Sequence, residues 1–143
     1  MHRKAIQWAS TLALAVASVM AGPISTTPAA EAPADRVVVM YFHRTQRCPT
    51  CQKMGSYAEE AVRNAYAEAL KQGTVEFHYI DFQNRKNAAL AEGYKVTGPA
   101  LIMARVVDGK VQQFKNLEDI WTKVREKPDF IEYVQQHVEA YQK

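Results

Sequence analysis

The chain has 143 residues, with 18 lysines and arginines against 15 aspartates and glutamates, and it contains two cysteines. Its length suits one domain, and a net charge of +3 gives no reason to expect nucleic acid or a broad anionic surface as a partner. Without Arg3 and Lys4, which belong to the leader described next, 16 basic and 15 acidic residues remain.

The N-terminal 35 residues differ in composition from the rest. MHRK is followed by an apolar, alanine-rich run of about 17 residues, the lower limit for spanning a bilayer. Val19 and Ala21 precede Gly22 with the spacing of a cleavage site. We predict a secretory signal peptide over residues 1–21, with an uncleaved membrane anchor as the alternative; both place the remainder in the periplasm or another exported location. Residues 22–35 are Pro-rich and predict a flexible linker.

Residues 36–143 have the pattern of one α/β domain, without a second apolar run of spanning length. A helix joins the first two strands, which should therefore be parallel, and Asp108-Gly109 predicts a hairpin between the last two. We predict a mixed four-stranded sheet flanked by helices, in the order β-α-β-α-β-β-α, with an extra C-terminal helix. The predicted segments are strand 36–43, helix 51–72, strand 74–82, helix 87–94, strand 99–107, strand 110–114, helix 117–126 and a last helix opened by Pro128.

Two details of these segments are specific. The alternation of the second strand groups Ile80 with the polar residues Glu76 and His78, on the face opposite to Tyr79. Asn116 is predicted to cap the helix that follows the last strand.

The stretch HRTQRCPTCQ, residues 43–52, holds both cysteines, Cys48 and Cys51, and has three interpretations. A structural disulfide would close a very short loop and contribute only about 2 kcal/mol before strain. A metal clip would have His43 as the nearest nitrogen ligand, whereas a structural zinc site needs four ligands. Reversible thiol–disulfide exchange is favoured, because Cys-x-x-Cys lies between a strand and a helix of a βαβ unit.

Thiol–disulfide exchange assigns roles to the residues around the motif. Backbone N–H groups at a helix start favour a thiolate, so Cys48 is predicted to be the nucleophile and Cys51 the resolving thiol. The charges of Arg47 and Arg44, with His43 at the strand end, should lower the pKa of Cys48. No cofactor is expected, since no dinucleotide or flavin fingerprint occurs.

A second motif, VTGPAL at residues 96–101, precedes the third strand. With it, residues 36–143 resemble the thioredoxin-like superfamily. The resemblance implies that Pro99 is a cis-proline facing the cysteines and that the backbone of Gly98 pairs with a substrate strand. A trans turn proline is the alternative.

Residues 41–62 resemble more specifically the ArsF family of small exported proteins, also named nitrophenyl-compound nitroreductase subunits. The shared pattern is Tyr-Phe-His, a short loop, Arg-Cys-x-x-Cys and a Tyr-Ala-x-Glu-Ala-Val helix. We do not infer nitroreductase activity, because such chemistry usually needs a flavin. Arg47 stands where thioredoxin has Trp, and no buried Asp occurs near Met40. These departures predict an easily ionised Cys48 and a more oxidising couple than thioredoxin.

The sequence thus predicts an exported thiol–disulfide oxidoreductase that uses Cys48, Cys51 and Pro99. Its partners would be protein thiols or disulfides, or a redox partner protein. One alternative is a module that binds a soft metal or arsenite through Cys48, Cys51 and His43. The other is a redox-active accessory subunit of a larger enzyme.

Overall fold

The computed structural model describes residues 31–143, so the predicted signal peptide and most of the predicted linker lie outside the described residues. The elements are β1 (Arg36–His43), α1 (Pro49–Ala65), α2 (Ala67–Gln72), β2 (Val75–Asp81), a 3-10 turn (Arg85–Asn87), α3 (Ala88–Gly93), β3 (Ala100–Val107), β4 (Lys110–Asn116), α4 (Ile120–Lys123) and α5 (Lys127–Gln142). No helix within this range combines the length and apolar character needed to cross a membrane.

The four strands form one mixed sheet in the order β2-β1-β3-β4. β1 pairs in parallel with β2, as their connection through α1 requires, and β3 is antiparallel to both β1 and β4. The predicted α/β class, with its four-stranded mixed sheet, flanking helices and C-terminal helix, is confirmed. The C-terminal ends of β1 and β2 and the N-terminal end of β3 therefore meet at one edge of the sheet, which we call the cysteine edge.

Both faces of the sheet are covered. The larger core lies between the sheet and helices α1 and α5, where Tyr41, Met54 and Phe130 are fully buried. The smaller core lies on the other face, where Phe42 and Ala91 pack together under α3. β1 contributes to both cores, which explains why its sequence is apolar without alternation.

Three sequence predictions about the helices and the burial of residues differ from the structure. The helix predicted over 51–72 is divided at Tyr66, whose φ of −125° and ψ of 32° leave the helical region while its hydroxyl donates to the Gln135 carbonyl of α5. Ile80 is buried, because the second face of the sheet also has a core. Asn116 does not cap a helix: it ends β4 opposite Ile102, and only a short helix follows.

Candidate functional site

Cys48 occupies the N-cap of α1, immediately after the loop that leaves β1. Its backbone is extended, with φ of −73° and ψ of 161°, and its Sγ accepts a hydrogen bond from the Cys51 N–H at 3.2 Å. Pro49 occupies the first turn, where its missing N–H costs no hydrogen bond. Both cysteines are free thiols; Cys48 is exposed, and Cys51 is only 7% exposed. The motif therefore presents one thiol to solvent and shields the other.

The pKa values of the two thiols are shifted in opposite directions. The pKa of Cys48 is lowered, first by hydrogen bonding with the Cys51 thiol and then by the Cys51 backbone N–H. The pKa of Cys51 is raised, first by burial and then by its interaction with the Cys48 thiol. This asymmetry gives a ready nucleophile at the surface and a protonated second thiol beneath it.

Tyr41 lies directly beneath the motif. Its buried hydroxyl donates to the Cys51 carbonyl at 2.7 Å. Burial, followed by the proximity of Cys51 and Cys48, raises the pKa of Tyr41 far above its usual range, so the phenol stays neutral and acts as a donor. The buried position under the cysteines is thus occupied by a neutral hydroxyl, and no Asp, Glu, Lys or Arg of the described residues is buried.

Gly55 allows Tyr41 to reach this position. A Cβ at Gly55 would lie 2.8 Å from the Tyr41 ring and 2.8 Å from the Tyr79 ring, closer than van der Waals contact permits. The two rings meet edge to face, with centroids 6.0 Å apart. A residue without a side chain, one turn beyond Cys51, lets this aromatic pair support the first turns of α1.

Arg47, just before Cys48, lies over Tyr79. Its guanidinium carbon is 5.5 Å from the ring centroid, a cation–π geometry. The Tyr79 hydroxyl donates to Glu59 at 2.9 Å, and burial with this contact raises its pKa to about 12. The charge of Arg47 partly opposes the rise in the pKa of both Tyr79 and Tyr41. The direct effect of Arg47 on the pKa of Cys48 stays a prediction.

The loop between β1 and Cys48 is fixed to the end of β2. The Thr45 hydroxyl donates to Asp81 at 2.7 Å, and the Thr45 N–H donates to the Gln83 side chain at 3.0 Å. The Thr45 contact lowers the pKa of the Asp81 carboxyl, with the Gln83 N–H and the nearby His43 adding to the shift. This anchoring sets the path of the loop that carries Arg44 and Arg47.

His43 ends β1 as predicted, half-buried between aromatic rings. Its Nδ1 donates to the Arg44 carbonyl at 2.8 Å, and its ring lies 6.3 Å from Tyr41 and 6.1 Å from Tyr79. Arg44 is exposed. Between residues 31 and 143, no three His, Cys, Asp or Glu side chains converge to hold a metal ion, so His43 does not complete a three-ligand set with the cysteines.

Pro99 and Gly98 lie just before β3, at the cysteine edge. Ala100 pairs with Phe42, which places Pro99 level with His43. Every peptide bond of the described residues is trans, including the one before Pro99, so the expected cis-proline is wrong in this structure. The trans form is intrinsically favoured for X–Pro. Lys95, four residues earlier, has a positive φ of +56°. A Cβ at Gly98 would meet no atom within 4 Å, so the space beside its Cα is open, and the residue is half-buried.

No family model matches the chain, and no curated protein matches it. Among solved structures, one described as that of a malarial protein aligns with a TM-score of 0.44 and 18% identity, over 72% of this chain and 98% of that one. Thioredoxin of Fasciola hepatica aligns with a TM-score of 0.37 and 28% identity, over 64% of this chain and 76% of that one. The resemblance to the ArsF family is not confirmed.

The strand order, the parallel β1–β2 pair and the helices on both faces define a thioredoxin-like fold. The cysteine pair at the start of α1 is compatible with a redox role in this fold. Sequence reasoning does not reveal the support beneath it, because Tyr41 is one of several large residues in the apolar run of β1. Gly55 was the available signal, because a glycine in a helix interior costs about 1 kcal/mol and needs a packing reason.

Proposed function

We propose that this chain is an exported thiol–disulfide oxidoreductase in which Cys48 and Cys51 alternate between dithiol and disulfide. The supporting observation is their asymmetry: Cys48 is exposed with a lowered pKa, and Cys51 is buried three residues later with a raised one. A thiolate at the surface is the attacking species of such exchange. The two electrons are exchanged as one S–S bond forms and another breaks, so the reaction needs no bound cofactor.

In the reductive direction, the Cys48 thiolate attacks one sulfur of a partner disulfide. A bond forms between Cys48 and that sulfur, the partner's S–S bond breaks, and its second sulfur leaves as a thiolate. The Cys51 N–H that stabilises the Cys48 thiolate lies in the first turn of α1, which Tyr41 holds from below. The nucleophile is thus stabilised by a turn that is itself anchored to the sheet.

In the second step, Cys51 resolves the mixed disulfide. It loses its proton to solvent and attacks Cys48, so the Cys48–Cys51 bond forms and the partner's first sulfur leaves as a thiolate. The partner gains two electrons and the cysteine pair loses two. Because the pKa of Cys51 is raised, this step should accelerate as pH rises. The reverse sequence oxidises a partner dithiol, and a second thiol or disulfide resets the pair.

The partner chain would lie along the start of β3. The space beside the Gly98 Cα is open, and Pro99 falls level with the end of β1, beside the loop that carries Cys48. An extended partner segment could add main-chain hydrogen bonds to Gly98 there. Cys48, Cys51 and Pro99 with Gly98 would then form the catalytic and substrate-contact set.

Trapping tests the exchange chemistry. With Cys51→Ser, the mixed disulfide cannot be resolved, so the variant should accumulate partners joined to Cys48 that are released by dithiothreitol. Cys48→Ser keeps one cysteine and serves as the matched control; it should trap nothing, since the remaining thiol is buried. Absence of adducts from Cys51→Ser, combined with no exchange by the wild-type protein with glutathione, would contradict the proposal.

Export is a separate part of the proposal and rests on residues 1–21. If the segment is a cleaved signal peptide, protein recovered from a bacterial periplasm should begin at Gly22. Intact mass would show this directly. Recovery with Met1 retained in the membrane fraction would support the uncleaved anchor, and recovery only from the cytoplasm would contradict export.

A further inference from the structure

Positive charge is concentrated around Cys48 at the cysteine edge. Three chain segments contribute it: the loop after β1 with the start of α1, the turn after β2, and the loop before β3. All six basic side chains are exposed. The set, which we call the basic rim, is Arg44, Arg47, Lys53, Arg85, Lys86 and Lys95.

The basic rim has few internal counter-ions. In the part of the chain that the structure describes, none of its six charges has a carboxylate within 4.0 Å. Asp81 is close and ionised, held by Thr45 and the Gln83 N–H, and Glu92 in α3 adds a second negative charge near Lys95. Glu118 and Asp119 follow β4, two strands from β1, beside a cavity that Lys95 lines with Asn116 and Trp121. Even with Asp81 and Glu92 counted, positive charge remains in excess among the segments of the basic rim, although the whole chain carries only +3.

The opposite edge of the sheet is organised differently. There the Nε of Arg36 lies 2.8 Å from a Glu76 carboxylate oxygen, and its Nη1 donates to the Pro33 carbonyl at 2.9 Å. Lys71 pairs with Glu68 at 2.7 Å. Two cations of this edge are thus paired with carboxylates, whereas none of the six in the basic rim is, and this difference marks the cysteine edge as a surface for a partner.

We propose that the basic rim selects a protein partner whose reactive disulfide or dithiol lies in an acidic segment. This rests on the proposed exchange chemistry and names the class of partner. Opposite charge raises the rate of encounter and disfavours partners with basic flanks, without changing the chemical step at Cys48. Arg85, Lys86 and Lys95 contribute charge from segments that do not carry the cysteines.

Three peptide disulfides of equal length test this, with the disulfide flanked by Asp, by Ser or by Lys residues. At low ionic strength, the second-order rate constant with reduced protein should be highest for the Asp peptide and lowest for the Lys peptide, by about tenfold between them. The difference should shrink as salt is raised from about 20 mM to about 500 mM, because the Debye length falls to a few ångströms.

Two double variants of equal charge provide the comparison. Arg85→Glu with Lys86→Glu reverses the charge of the turn after β2 and should abolish or reverse the preference for the Asp peptide. Lys71→Glu with Lys110→Glu changes the net charge equally at the opposite edge and should retain the preference. All four side chains are exposed, and the wild-type salt dependence tests the inference independently of the variants.

The outcomes separate this inference from the proposed function. Equal rates for the three peptides, or equal effects of the two double variants, would overturn the acidic-partner inference while leaving thiol–disulfide exchange intact. Failure to react with any of the peptides, including the uncharged one, would overturn both. Rate constants that fall from the Asp peptide to the Lys peptide, with the preference lost only in the Arg85→Glu, Lys86→Glu variant, support both the acidic-partner inference and the proposed function.

Discussion

The two ends of α1 are held by the same type of contact but differ in what they expose. At the N-terminal end, the Tyr41 hydroxyl donates to the Cys51 carbonyl at 2.7 Å, above which Cys48 faces solvent. At the C-terminal end, the Tyr66 hydroxyl donates to the Gln135 carbonyl at 2.9 Å, and α5 covers the helix. One tyrosine supports the turn that carries the cysteines, and the other joins two packed helices.

This difference shows how one helix can combine stability with reactivity. The Gln135 side chain donates back to the Ala61 carbonyl at 3.0 Å, so the C-terminal end is tied to α5 in both directions. The N-terminal end has no acidic residue in its first turn, which leaves the partial positive charge of its N–H groups to Cys48. Changes at the two ends should therefore separate stability from thiol reactivity.

The largest expected effect on stability comes from the core between α1 and α5. Phe130 is fully buried and meets Tyr57 edge to face at 5.7 Å. Phe130→Ala should lower the free energy of unfolding by about 3–5 kcal/mol through lost burial and a cavity. Urea denaturation measures this. Under native conditions the pH midpoint of Cys48 alkylation should not move. A decrease in the free energy of unfolding of less than about 1 kcal/mol, within the ordinary range of point mutations, would contradict the assignment of Phe130 to the core.

Gly55→Ala should have the next largest effect. Its Cβ would press on Tyr41 and Tyr79 at 2.8 Å, costing about 1–3 kcal/mol and displacing the support beneath the cysteines. Gly93→Ala in α3 is the matched control, since a Cβ there meets nothing within 4 Å. Thermal unfolding should show a loss of stability for Gly55→Ala, and alkylation should show a change in the reactivity of Cys48. Gly93→Ala should show neither change. Equal stability of the two variants would argue against the close ring contact.

Tyr41→Phe and Tyr66→Phe compare the two ends directly. Each removes one hydroxyl-to-carbonyl hydrogen bond and should cost about 1 kcal/mol. Only Tyr41→Phe should also change the reduction potential of the cysteine pair, because the Cys51 carbonyl loses its donor. Equilibration with glutathione measures the potential. The same potential in both variants would show that Tyr41 is structural only.

The smallest effect concerns the acidity of Cys48. Since its pKa is lowered mainly by the Cys51 thiol, Cys51→Ala should raise it back toward the ordinary thiol value, and Cys51→Ser should retain more of the lowering through its hydroxyl. A lowered pKa means that more thiolate is present at neutral pH, so alkylation by iodoacetamide should reach half its maximal rate below about pH 8.5 in the wild type. A wild-type midpoint at or above that pH would contradict the activation of Cys48.

The parts of the fold that follow from local pattern were predictable from sequence. The apolar run of β1, the Asp108-Gly109 turn and the position of Pro128 identified a strand, a hairpin and the last helix. Cys48 and Cys51 were also placed correctly at the start of a helix. These features depend on neighbouring residues, so a single sequence is sufficient to indicate them.

The parts that depend on tertiary contacts were not predictable. Tyr66 divides the helix because α5 offers a carbonyl to its hydroxyl, and Ile80 is buried because α3 covers the second face of the sheet. The isomer of the bond before Pro99 was carried over from a resemblance, and the structure has it trans. The role of Tyr41 under Cys51 depends on the distance between a strand and a helix, which residue pattern does not encode.

The most direct test of the central claim is the mass of the protein after equilibration in glutathione buffers of graded potential, acid quenching and alkylation. Thiol–disulfide exchange between Cys48 and Cys51 predicts a transition from two alkylated thiols to none with a single midpoint. Cys51→Ser should instead carry one glutathione on Cys48. A wild-type protein that keeps two alkylatable thiols across the whole range of potentials would contradict the claim.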